Sequence, residues 1–82
     1  MKELRAGSPF TIGEISIVPL EKVHIHHNSN EGRFSIYVSK EPIGIVISSP
    51  QGKWALDIYG DQISVETYIQ EIDGLQQLLD NL

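Results

Sequence analysis

The chain has 82 residues, with 11 acidic against 6 basic side chains and a formal charge of −5. Because its lysines and arginines are scattered singly, they form no basic stripe, and the net charge repels nucleic acid and anionic membranes. No apolar run reaches the length of a membrane span, the N-terminal residues are too charged for a signal peptide, and there is no cysteine to form a disulfide or a thiolate metal site. We therefore expect one small cytoplasmic domain over residues 1–82.

Apolar and polar residues alternate from residue 14 to residue 26, which predicts one long bent strand or two short strands in line. Pro19 cannot donate to a β-ladder, so it marks a bend or a sheet edge. The polar cluster at 28–32 predicts a turn. Residues 33–40 form the clearest strand, and Glu41 and Pro42 predict a turn after it. Residues 43–49, apolar on both faces, suit a central strand.

A tight turn at 49–52 leads into a further strand over 53–59. Short connections between these strands favour an antiparallel meander of four to five strands. The segment 64–82 then changes to helical spacing, with Ser64 as an N-cap. Asp73 and Gln76 fit a capping box that starts a second helix, and a single kinked helix fits the spacing equally well. The predicted fold is α+β, with this segment covering one face of the sheet.

One helical segment covers only one of the two sheet faces. The face expected to be covered holds the larger apolar residues: Ile15, Ile17, Val23, Ile25, Phe34, Ile36, Val38, Ile45, Ile47, Trp54, Leu56 and Ile58. The opposite face includes Tyr37, Val46 and Tyr59, and its tyrosines and few charges favour a homodimer or partner interface. A leucine stripe with Leu75 and Leu79 offers another such surface. The alternative is an ordinary solvated sheet face.

Three histidines are the other notable cluster, and on a strand His24 and His26 share a face. Two imidazoles on one face could hold a zinc or copper ion if the fold supplied further ligands. The alternative is a pair of exposed histidines on an edge strand. No pattern of a nucleophile, a phosphate loop or paired carboxylates is present, so we expect neither catalysis nor a cofactor.

Residues 7–23 (Gly-Ser-Pro-Phe-Thr-Ile-Gly-Glu-Ile-Ser-Ile-Val-Pro-Leu-Glu-Lys-Val) resemble the opening motif of the sporulation-protein YtfJ (GerW-like) family. Pro42, Gly52 and the Leu-rich C-terminal segment also follow that family's layout. The chain departs from it where the family has a glycine-rich stretch, because residues 24–28 here read His-Ile-His-His-Asn. The resemblance implies a small non-enzymatic domain, linked in spore formers to germination.

Overall fold

The computed structural model describes residues 2–82 and contains one antiparallel sheet and two short helices. The elements in chain order are β1 (Lys2–Ala6), β2 (Phe10–Ile12), β3 (Ile15–Asn30), β4 (Arg33–Ser49), β5 (Gly52–Asp57), β6 (Gln62–Ile63), α1 (Val65–Glu71) and α2 (Leu75–Asp80). The strand order is β1-β3-β4-β5-β6, and β2 pairs with β3. The α+β class and the antiparallel sheet are as predicted, with β1 and β2 as additional strands. The predicted turn at Glu41 and Pro42 was wrong, because residues 33–40 and 43–49 belong to the single strand β4, which is interrupted there only by a bulge.

The hairpin turns follow from residues that accept a positive φ. Gly13, at φ 61°, is the first of two residues between Ile12 and Ile15, as is typical of a type II′ turn. Glu31 and Gly32, at φ 51° and 78°, connect the paired residues Asn30 and Arg33. Positive φ at both central residues is typical of a type I′ turn, whose twist matches that of its strands.

The alternating segment forms one strand, β3, with Pro19 inside it. Pro19 lies opposite the gap between β1 and β2, where no ladder hydrogen bond from its nitrogen is needed. Its carbonyl oxygen accepts a hydrogen bond of 2.8 Å from the Gly7 amide. One residue further along, the register between β3 and β4 shifts, and Ile43 is the extra residue of a bulge.

The core lies on the side of the sheet opposite to the predicted one. Val18, Leu20, Val46 and Ala55 are buried and form one cluster with residues of the helical segment, namely Tyr68, Ile72, Leu75 and Leu79. The cross-strand register confirms the predicted division of the strand residues into two faces. The prediction was wrong about which of the two faces is buried with the helical residues.

Small residues explain this choice of face. Gly44 and Ala55 lie on the buried side, and Gly44 leaves no room for a Cβ between the Leu56 carbonyl and the Tyr68 hydroxyl. Close packing of a helix on a sheet depends on such complementarity rather than on the number of apolar residues. The face with larger side chains therefore stays open.

The C-terminal segment forms two helices, which decides between the two predicted alternatives. Ser64 is the N-cap of α1, although its side chain makes no capping hydrogen bond. The N-cap of α2 is Gly74, in the left-handed conformation at φ 82°. Asp73 is therefore not the cap that the capping-box prediction required.

Residues 26–37 form a two-stranded arm that projects from the rest of the sheet. In the register of the described residues, β1 ends opposite His24 and β5 ends opposite Gly44. Beyond these points β3 and β4 pair with each other up to the turn. The arm gives the molecule its elongated shape, with extents of 57 × 22 × 20 Å.

Candidate interaction surface

The face of the sheet that faces away from the core is called here the open face, and its largest apolar group lies on the body of the sheet. Phe10, Ile17, Ile47 and Trp54 are cross-strand neighbours in one row across β2, β3, β4 and β5. Ile45 and Leu56 lie in the next row, and Ile12 and Ile15 close the end of the β2–β3 hairpin. We call these eight residues the body patch.

A second apolar group occupies the same face of β4, along the arm and at its base. Phe34, Ile36 and Val38 alternate along β4 opposite Ser29, His27 and Ile25. We call Phe34, Ile36 and Val38 the arm patch. Their side chains are 50 to 66% exposed, although large apolar residues of this kind are usually buried.

A narrow charged belt separates the two patches. Arg5 lies opposite Glu21 and donates a hydrogen bond from Nε to Oε1 at 2.7 Å. In the next row, Glu3 and Lys40 flank the buried Val23 on either side. The belt thus combines two carboxylates with two cations and adds no net charge to the open face.

The exposed apolar area on this face is large for a chain of this size. Three body-patch residues, Phe10, Ile12 and Ile15, are exposed like the arm patch, and the other five are half-buried. Since a large side chain has about 150–250 Å² of surface, the two patches together expose on the order of 600 Å². Exposed apolar patches of a few hundred Å² on a monomer often belong to interaction sites.

The other face of the arm carries a stack of aromatic rings. The rings of His24 and His26 are parallel within 1°, with centroids 6.1 Å apart. The Tyr37 ring lies 5.3 Å from that of His26. His24 and His26 therefore share a face, as predicted.

A metal site at these histidines stays a prediction. Within residues 2–82, no group of three or more histidine, aspartate or glutamate side chains is arranged to hold a metal ion. Nε2 of His24 instead lies 3.3 Å from Oε1 of Glu41, and Nζ of Lys22 lies 3.7 Å from the same oxygen. The hydrogen bond with His24, supported by the nearby Lys22 ammonium, lowers the pKa of Glu41.

The five residues predicted to form an interaction surface are divided by the structure. Tyr37 and Tyr59 are exposed, at 62% and 82%. The other three, Val46, Leu75 and Leu79, belong to the buried cluster between the sheet and the helices. They are therefore not available to a partner of the folded chain. For these three residues the predicted surface was wrong, for the same reason that the buried face was reversed.

Apart from Phe10 and Ile12 on β2, the sequence assigns the residues of both patches to one set and predicts that the helical segment covers them. The length of the paired strands is the signal that distinguishes a buried sheet face from an exposed one. The alternation of residues 25–38 extends beyond what one short helical segment can cover, since each strand residue adds about 3.3 Å. At least the arm patch could have been predicted to lie outside the core.

Comparison with protein-family models, curated proteins and solved structures gave no match to this chain. The resemblance of residues 7–23 to the YtfJ family therefore stays a prediction. Neither helix of the described chain has the length and apolar character needed to cross a membrane.

Proposed function

We propose that this chain is a non-catalytic protein–protein interaction module and that the open face is its binding surface. The observation that carries the proposal is the arm patch, where the side chains of Phe34, Ile36 and Val38 lie along β4 at half to two-thirds exposure. A two-stranded hairpin without further support is at best marginally stable in water. A partner that covers the arm patch would supply the support that the arm needs.

The composition of the open face supports the same function. Its apolar centre contains Phe10 and Trp54, and aromatic residues are enriched at the energetically dominant positions of interfaces. The charged belt supplies polar groups, such as the Arg5–Glu21 ion pair, that fix the orientation of a partner. An apolar centre with few, paired charges is typical of protein interfaces.

The test compares two neighbouring residues of the arm. Ile36 and Tyr37 are both 62% exposed, and they point to opposite faces. Ile36→Lys places a charge on the open face, whereas Tyr37→Lys places the same charge on the histidine face. The molecular mass of each complex would be measured by light scattering, for the purified chain and in extracts of cells that express it.

We expect Ile36→Lys to weaken association roughly 10- to 100-fold, as for a residue in the centre of an interface. Tyr37→Lys should associate like the unmodified chain. Equal behaviour of the two variants would contradict the proposal. Loss of association in Tyr37→Lys alone would favour the histidine face instead.

A further inference from the structure

We infer that the occupant of the open face is a second copy of this chain, turned so that the arm of each copy lies over the body patch of the other. This inference rests on the proposed function, because it uses the same surface. It adds the identity of the partner and the direction of the two-fold axis. Three features carry it: the spacing of the patches, the charges of the belt and the exposed area.

The spacing of the two patches is symmetric about Lys22. In the body patch, Ile15 and Ile17 belong to β3 itself. In the arm patch, Ile36 pairs with His27 and Phe34 pairs with Ser29. Positions 15 and 29, and positions 17 and 27, are equally far from position 22. A two-fold axis crossing β3 at Lys22, perpendicular to the strand and parallel to the sheet, therefore places the arm of each copy over the β3 and β4 residues of the other copy's body patch. The body-patch residues on β2 and β5 lie beside the arm.

This axis also matches side chains along β4. Ile47 lies opposite Ile17, so it comes to face Ile36 of the second copy. Ile45 lies opposite Pro19 and comes to face Val38 of the second copy. Two sheets packed in this way lie about 10 Å apart, with their inner side chains interdigitated. Such an arrangement covers both arms without moving either of them.

The charged belt favours this direction of the axis. Position 21 of one copy meets position 23 of the other. Arg5 pairs with Glu21 across β1 and β3, and Glu3 pairs with Val23. Arg5 of one copy therefore faces Glu3 of the second copy. With the alternative axis, which runs along β3, each row of residues lies over the same row of the second copy. Glu21 of one copy then lies over Glu21 of the other. Opposite charges across an interface favour a pairing and like charges disfavour it, so the belt selects the first arrangement.

The exposed area approaches what a stable dimer needs. The two patches of one copy, with their half-buried members, expose on the order of 600 Å², and the belt between them adds to this. A standard interface buries about 800 Å² on each partner. The helices lie on the opposite side of the sheet, since Tyr68, Ile72, Leu75 and Leu79 pack with the buried face, and they do not obstruct the second copy.

The experiment uses cross-linking between introduced thiols, because the chain has no cysteine of its own. Single variants Ile36→Cys and Ile47→Cys are made with different tags, and a bis-maleimide with a reach of about 10 Å is added. In the proposed dimer, Ile36 of one copy faces Ile47 of the other. The two copies of the same position lie about ten residues apart along the strands, or roughly 33 Å.

We expect a covalent product joining the two tags when the variants are mixed, and little product from either variant alone. Efficient cross-linking of Ile36→Cys with itself would overturn the arrangement, because it requires arm-on-arm packing. A purified chain that is monomeric by light scattering at all concentrations would overturn the second copy as partner. If such a monomer still formed a complex in extract that Ile36→Lys abolished, the interaction function would stand without this inference.

Discussion

The hydroxyl group of Tyr68 donates a hydrogen bond of 3.1 Å to the carbonyl oxygen of Ile43. Ile43 is the extra residue of the bulge in β4, and Tyr68 is a buried residue of α1. The bond therefore connects the helical segment to the irregular point of the longest strand. A bulge leaves backbone groups outside the regular ladder, and the Tyr68 hydroxyl satisfies one of them.

Replacing Tyr68 by phenylalanine should lower the free energy of unfolding by about 1–2 kcal/mol, because the Ile43 carbonyl loses its partner. The change should also alter the response to alkali. Burial, with the nearby Asp57 and Glu71 carboxylates, raises the pKa of Tyr68 above its ordinary value of 10.0. The associated stability is fully present below pH 10.0 and is lost as the pH rises through the higher value of the folded state.

Urea unfolding at pH 7 and at a series of pH values above 10 would measure both effects. The unmodified chain should lose stability in the alkaline series more steeply than Tyr68→Phe. Parallel curves for the two proteins would show that Tyr68 does not carry the alkaline transition.

Gly44→Ala should destabilise the fold by about 1–3 kcal/mol through overpacking. The added methyl group would meet the backbone carbonyl of Leu56 and the hydroxyl group of Tyr68, and a carbonyl in a central ladder cannot move aside. Gly7→Ala is the matched control, because its methyl group would meet a side-chain atom of Pro19 at 3.1 Å, which needs only a small shift. Thermal unfolding should give a clearly lower midpoint for Gly44→Ala, and equal midpoints would argue against the close approach of α1 to β4.

Leu75→Ala tests the correction to the predicted interface. Leu75 is fully buried in the core, so the truncation should cost about 2–5 kcal/mol of stability. Leu82→Ala, in the same segment at 47% exposure, should cost little. Urea titration gives the stability, and light scattering below the transition gives the mass. A change of mass in Leu75→Ala with unchanged stability would show instead that Leu75 lies on the surface and contributes to association.

Glu41→Gln should reduce stability near neutral pH and have no effect in acid. The carboxylate accepts a hydrogen bond from His24 and lies near Lys22, so its pKa in the folded chain is below the ordinary 4.5. A lowered pKa contributes stability that is present above pH 4.5 and is lost as the pH falls through the folded value.

The difference in urea midpoint between Glu41→Gln and the unmodified chain is the quantity to follow. We expect a small difference at pH 7 that disappears as the pH falls below the lowered pKa of Glu41 in the folded chain. Glu31→Gln, at the tip of the arm, is the control for loss of one carboxylate. A difference that persisted unchanged in acid would mean that the Gln side chain disturbs the site by its shape rather than by its charge.

The sequence alone predicts most of the strands and the division of their residues into faces, because alternation has a fixed period of two. The turn near Glu31 and Gly32 follows from residue types in the same way. The choice of the buried face does not follow, since β4 is apolar on both faces around Ile45 and Val46. That choice depends on Gly44 and Ala55, whose small size matters only once Tyr68 is placed against them.

The candidate surface was less predictable than the strands. The sequence identifies Tyr37 by its residue type, but exposure is a property of the arm, which depends on how far β1 and β5 extend. The end of β5 is set by the turn after Asp57, where one carboxylate oxygen accepts hydrogen bonds from the amides of Tyr59 and Asp61. Alternation carries no information on where this strand stops.

A bulge bends the strand that contains it, so a change of angle at Ile43 would be amplified at the tip of the arm. The tip of the arm, at Glu31, lies about ten strand residues from the bulge, or roughly 33 Å. A rotation of the arm by about 10° at that point would carry the tip sideways by about 6 Å, more than the spacing between neighbouring strands. The hydrogen bond from Tyr68 to Ile43 is made at the bulge. A side chain of the helical segment would therefore restrain the angle at which the arm leaves the sheet.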